Sequence, residues 1–296
     1  MKKKVVSILC LTTMLMTVFA GCGADQGEET KKTDEVKETK QTDDGVRAYV
    51  GGTIFESSLD PIKGAMSYGY PFINEALLEV NPDSEYVGDL ATDWKVSDDA
   101  LTYTFNLKEN VKFSDGSDFD AEDVVFTYNK AKESGETTNL ESLDNAQKVN
   151  QANNENVDLT RLDKVTALDN HTVEFKLSEA YSPFLDTTAM LQIVPSDAYD
   201  SELFDTQPIG TGAYKVSQYD ANQQIILEAN DQYYGDAPEI KKVTLVAMEQ
   251  EAAFSAAKSG ELDIVMVGAN YSKEKVDGMT ATNFETMDVR NISLPV

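Results

Sequence analysis

The chain has 296 residues, 41% of them hydrophobic, with 13 Tyr and 12 Phe, enough to build a sizeable core. Its formal charge is −27, and removing the leader that carries Lys2, Lys3 and Lys4 leaves 22 basic against 52 acidic residues. That balance excludes nucleic acid as a partner and disfavours direct adsorption to anionic lipid, because both would repel the protein.

In chain order, Lys2–Lys4 precede a mostly apolar run from Val5 to Ala20, too short for a stable span and patterned as a secretory leader over residues 1–21. The run ends Ala20-Gly21-Cys22, which resembles the bacterial lipoprotein box despite Phe19 where Leu is usual, and marks Cys22 as the expected lipidation site. Cys10 falls in the leader, so the processed chain keeps one cysteine, and neither an internal disulfide nor a cysteine-built metal site is possible. Residues 22–45 lack aromatics and are rich in charge, a composition that cannot repay chain ordering. They read as a disordered acidic tether spanning about 25–30 Å.

Val46 to Ile54 reads as a buried strand, and Ser57–Pro61 as a turn. Residues 64–70 (GAMSYGY) form a loop with adaptable and aromatic tips. After Pro71, the spacing of Phe72, Ile73, Ala76, Leu77 and Val80 predicts one face of a helix. Asp89–Val96 and the alternating Thr102–Leu107 predict strands; Trp94, on the first, is expected to pack in the core rather than stack on a ligand. Asp115, Asp118, Asp120 and Glu122 lack the spacing of a calcium loop and fit a helix start better, with Asp120 as N-cap and Val124, Val125, Tyr128 and Ala131 on the helix that follows.

Residues 134–158 form a polar surface excursion. A hairpin is predicted about Asp169-Asn170, beside which His171, the only histidine, is expected as an exposed turn residue rather than a catalytic base or metal ligand. A helix follows Pro183. Pro208, Gly210 and Gly212 predict a tight turn before a hairpin, Ala213–Tyr219 and Gln223–Glu228 about Asp220-Ala221-Asn222, with Tyr214, Val216 and Gln218 on one face and Lys215, Ser217 and Tyr219 on the other. Ile240–Met248, a helix Glu249–Lys258 ending at Gly260, and a buried strand Leu262–Val267 then give a strand–helix–strand crossover in a mixed sheet.

The blocks PIGTGAYKV (from Pro208), NDQYYGDAPEIKKVTL (from Asn230), Leu59-Asp60-Pro61 and Asp115-Gly116 through Val124 occur together in one order. In these the chain resembles the family 5 solute-binding proteins, extracytoplasmic receptors of peptide, dipeptide and nickel ABC importers; Ala213 stands where the family usually has Pro. The resemblance implies an α/β fold of the type II periplasmic-binding-protein class, two-lobed with mixed sheets. Its expected parts are a first piece of lobe I (46–89), an inserted small α/β domain (90–200) and a second piece of lobe I (201–296) ending at the crossover to a largely missing second lobe. It further implies a lipid-anchored receptor on the outer face of a bacterial membrane that captures peptides and delivers them to ABC permease subunits. No cofactor, resident metal or catalytic residue is expected. Met66, Ser67, Tyr68 and Tyr70 are the expected ligand contacts. A peptide sensor on the same scaffold and an extracytoplasmic carboxylate hydrolase are the competing readings; no Gly-x-Ser-x-Gly or His-Glu-x-x-His motif supports the latter.

Overall fold

The computed structural model describes residues 45–51, 58–63, 72–136, 157–271 and 274–281, all within the unit Gln41–Val296. Its strands are β1 (Val46–Tyr49), β2 (Leu78–Val80), β3 (Tyr86–Gly88), β4 (Ala91–Val96), β5 (Thr102–Leu107), β6 (Leu162–Asp169), β7 (Thr172–Leu177), β8 (Tyr214–Asp220), β9 (Gln224–Ala229), β10 (Lys242–Val246) and β11 (Ile264–Val265). The helices are α1 (Ala121–Glu136), α2 (Phe184–Met190) and α3 (Gln250–Ser259), with a 3-10 turn at Pro61–Lys63.

A five-stranded mixed sheet, ordered β11-β1-β10-β9-β8, draws its strands from both ends of the described chain. β10 and β11 run parallel to β1 on its two sides, so the β10–α3–β11 connection crosses over one strand, as the strand–helix–strand pattern predicts. Helix α3 presents Ala253, Phe254 and Ala257 to the core. The small alanines let its backbone lie close to Tyr49, Val246 and Leu262. It stops at Gly260, whose φ of 80° is the left-handed conformation that ends helices; the Gly260 and Glu261 N–H groups close back on Ala257 and Ala256.

The β8–β9 hairpin turns where expected, with Gln223 N donating to Asp220 O and Asn222 at φ 56°. Its faces differ from simple alternation. The register slips between Val216 and Gln218, leaving Ser217 as a bulge, so Tyr219 lies opposite Ile225 and joins Tyr214 and Val216 on the buried side. The last strand also differs. β11 is only two residues long and lies at the sheet edge, and Ile264 (49% exposed) and Met266 (60%) face outward instead of forming the buried strand predicted for 262–267. Only Leu262 and Val265 find α3 to pack on.

The second sheet is antiparallel, ordered β4-β5-β7-β6. Tyr103, Phe105 and Leu107 of β5 alternate inward with Val173, Phe175 and Leu177 of β7. Tyr128 of α1 and Phe184 of α2 meet Phe175 edge-on at 4.7 and 5.4 Å. Trp94 packs against this core from β4, as expected. α1 begins as its acids predict: Asp120 Oδ1 accepts from Glu122 N, and Asp123 Oδ2 accepts from Asp120 N, a reciprocal cap. Asp115 is occupied by Ser117 and Asp118 by Lys112, so the run of acids is spent on local structure.

The predicted helix after Pro71 does not form. Residues 73–78 are buried without a break; after a turn at 72–73 they run on without helix into the β2–β3 hairpin. The backbone of residues 72–76 is bonded to three other segments: Gly212 N and Tyr214 N donate to Ile73 O and Phe72 O, Ile193 N to Glu75 O, and Leu90 N to Ala76 O. A fully enclosed segment can carry apolar residues at helical spacing without being a helix, and periodicity alone does not separate the two. This segment bridges the two sheets.

Candidate functional site

Met66, Ser67, Tyr68 and Tyr70, like Cys22, lie outside the described residues. The chain on either side of residues 64–71 is fixed in detail. On the near side Asp60 is completely buried. Its Oδ1 accepts from Ile62 N (2.9 Å) and its Oδ2 from the Tyr199 hydroxyl (2.7 Å). Burial raises the Asp60 pKa, and the Tyr199 hydrogen bond opposes the rise. Lys63 reaches Asp205 Oδ1 (2.6 Å) and Ser201 O (2.5 Å), and Ser58 also donates to Asp205 (2.5 Å). The Leu-Asp-Pro block is therefore a buried anchor tied to residues 199–205.

On the far side, the Gly-Thr-Gly block lies flat against Phe72-Ile73-Asn74. A Cβ on Gly210 would stand 2.1 Å from Ile73 O and 2.2 Å from Asn74 Oδ1; one on Gly212 would stand 2.7 Å from Ile73 C. Neither glycine has positive φ. The tight turn expected here is a gentle bend, and the glycines serve close backbone approach. Asn230 fastens the arrangement, donating from Nδ2 to Gly212 O at 2.8 Å.

Between these anchors lies a polar node that sequence reasoning did not single out. Glu75 is 6% exposed. Its Oε1 accepts from the Tyr234 hydroxyl (3.2 Å), which itself accepts from Lys108 Nζ (3.3 Å) and lies 3.5 Å from Asp89 Oδ1. Lys108 also sits 4.7 Å from the Tyr234 ring centre, and Asp89 Oδ2 accepts from Ala76 N. Burial pushes the Glu75 carboxyl to about 7, assisted by the Asp89 charge and opposed by the Thr211 and Tyr234 hydroxyls and Lys108. Burial likewise raises Asp89 to about 6. Thr211 and Asn74 are wholly enclosed, and their side-chain polar atoms have no well-formed hydrogen bond, nor has Glu75 Oε2 or Gln192 Oε1. One signal was available: an acid set, beside Asn74, within the mostly apolar stretch Ile73–Leu78.

The remaining candidates fall elsewhere. His171 is half-buried rather than exposed, because its turn is held by Leu107 N donating to His171 O and Ala121 N to Asn170 O. Among the described residues no three His, Cys, Asp or Glu side chains gather as a metal site, and no helix is long and apolar enough to cross a membrane.

The sequence profile of the bacterial extracellular solute-binding proteins, family 5 (middle), matches residues 85–293. The chain belongs to that family. Family 5 is one of binding proteins rather than enzymes. The chain is 32% identical over 247 residues to Protein XP55 of Streptomyces lividans, covering 80% of this chain and 42% of that protein. It is 28% identical over 233 residues to a putative ABC transporter peptide-binding protein of Brucella ovis, covering 75% of this chain and 41% of the relative. Among solved structures it is similar to NikZ of Campylobacter jejuni, determined in complex with Ni(L-His), with a TM-score of 0.65 at 21% identity over 78% of this chain and 44% of that one. The fold is thus that of part of a two-lobed periplasmic binding protein, mixed α/β as the signature implies. The chain spans about two fifths of the length of the curated relatives it matches.

Proposed function

We propose that this chain belongs to the substrate-binding receptor of an ABC importer, which captures oligo- or dipeptides outside the cell and hands them to membrane permease subunits. The observation that carries the reading is family 5 membership over residues 85–293 together with similarity to the peptide-binding relative of Brucella ovis. In this reading residues 46–89 and 201–296 belong to one lobe and residues 90–200 to the small inserted domain. The loop bearing Met66, Ser67, Tyr68 and Tyr70 meets the peptide main chain, held at its two ends by the Asp60 and Gly210–Gly212 anchors. Main-chain hydrogen bonding gives affinity without fixing side-chain identity. Cys22 is acylated and anchors the receptor on the extracytoplasmic face, two or more acyl chains being needed for stable retention.

Deleting the gene abolishes uptake of peptides without changing their hydrolysis, and the gene with Ser67→Ala and Tyr68→Ala restores uptake only partly. Undiminished uptake in the deletion strain refutes the proposal. In thermal-shift screens with di- to hexapeptides and nickel–histidine, a true ligand at 100 times its Kd adds about 2.7 kcal/mol of stability. Cys22→Ser releases the protein from the membrane fraction; unchanged processing and retention would show that acylation is not its anchor.

A further inference from the structure

The polar node between the sheets contains an oxygen in an unusual position. Glu75 Oε1 receives the Tyr234 O–H, whereas Oε2 has no well-formed hydrogen bond among the described residues, the Thr211 and Tyr233 hydroxyls lying near the carboxyl without closing on it, although the residue is nine-tenths buried. An ionised carboxylate enclosed in this way would leave one full acceptor oxygen unpaired, a costly arrangement. A protonated carboxyl removes the conflict, because Oε2 then bears the hydrogen and becomes a donor. An acceptor is at hand: the Thr211 hydroxyl approaches the carboxyl, and its enclosed Oγ1 has no well-formed hydrogen bond of its own among the described residues.

The surrounding groups come from both sheets. Tyr234 and Tyr233 follow β9, and Thr211 precedes β8, on the five-stranded side. Asp89 precedes β4 and Lys108 follows β5, on the four-stranded side, with Glu79 of β2 near Asp89. Asp186 of α2, the other acid beside the β2–β3 hairpin, is taken by the Tyr86 hydroxyl at 2.6 Å. Among the described residues a single cation, Lys108, therefore faces Glu75 and Asp89, with Glu79 nearby.

We propose that Glu75, carrying a proton on Oε2, forms with Tyr234, Asp89 and Lys108 a proton-operated clasp that fastens the two sheets across the Ile73–Leu78 segment and slackens when Glu75 ionises. Between about pH 6 and pH 7 the node holds one negative charge, on Asp89, offset by the nearby Lys108 charge. Loss of the Glu75 proton puts a second negative charge into the same enclosed space, with no further cation to meet it. The bonds at stake are the ones that hold the Ile73–Leu78 segment in place, so the clasp couples pH to the seam between the sheets.

The titration is read directly on the full chain with glutamate labelled at the carboxyl carbon. The Glu75 resonance is expected to titrate near pH 7, and Asp89→Asn to move its midpoint down toward the ordinary carboxyl range. The second measurement is the pH dependence of unfolding. Because the folded-state value lies above the unfolded one, the contribution of Glu75 is complete below about pH 4.5 and lost as pH rises through about 7. The unfolding constant of the wild type then rises on the order of a hundredfold more between pH 4.5 and 8 than that of Glu75→Gln, which keeps both a donor and an acceptor in the node. A Glu75 midpoint in the ordinary carboxyl range, one indifferent to Asp89→Asn, or a parallel pH dependence in the Gln variant overturns the proposal. If the Gln variant does not fold, the wild-type titration decides alone.

Discussion

The contact between Gly210 and the Ile73-Asn74 backbone gives a sharp test of how the family signature works. In Gly210→Ala the new methyl would lie 2.1 Å from Ile73 O and 2.2 Å from Asn74 Oδ1, against 3.4 Å or more for ordinary contact. Neither neighbour can step aside alone, because Asn74 is wholly buried and Ile73 O is bonded to Gly212 N at 2.8 Å. The two segments must part by about 1 Å, which weakens that bond and its neighbour, Tyr214 N to Phe72 O at 2.7 Å. Overpacking costs about 1–3 kcal/mol and each weakened bond about 1 kcal/mol, giving roughly 3–5 kcal/mol in all. Against a total of about 5–15 kcal/mol this is a large fraction. Urea unfolding should show the midpoint fall by roughly 1–2 M with the slope preserved. The control is Gly116→Ala, at φ +92° with nothing within 4 Å of its Cβ. It bears only the left-handed backbone penalty of about 1–2 kcal/mol. Should Gly210→Ala be no worse than Gly116→Ala, close backbone approach is not what the glycine provides.

Tyr199→Phe removes the donor to Asp60 Oδ2 and should cost about 1–3 kcal/mol in thermal unfolding at neutral pH. That hydrogen bond lowers an Asp60 pKa already raised by burial, so its loss raises the folded value further. The deficit therefore grows as pH rises and shrinks in acid, and a deficit independent of pH would contradict the assignment. Gly260→Ala places a side chain at φ 80° and should destabilise by about 1 kcal/mol through the end of α3, seen as faster amide exchange at Gly260 and Glu261.

Local chemistry made much of this protein legible in the sequence. The start of α1 follows from Asp120 and Asp123 around an apolar face, the end of α3 from Gly260, and the β8–β9 hairpin from Asp220-Ala221-Asn222 between alternating runs. Each signal is written within a few residues, because caps and turns satisfy their own backbone groups. The matched blocks likewise gave the family, though not the reason for its glycines.

What the sequence left open depended on partners distant along the chain. Residues 72–77 form no helix because their carbonyls are claimed by residues 90, 193, 212 and 214, none of which is signalled locally. Ser217 becomes a bulge only against β9, and that one-residue slip turns Tyr219 into the core. The Glu75 node unites residues 75, 89, 108 and 234, each unremarkable among 52 acids and 13 tyrosines until the fold encloses them. Periodicity and turn chemistry report how a segment relates to its neighbours; only the tertiary structure decides which carboxyl loses its water, and with it the one expected to carry a proton at neutral pH.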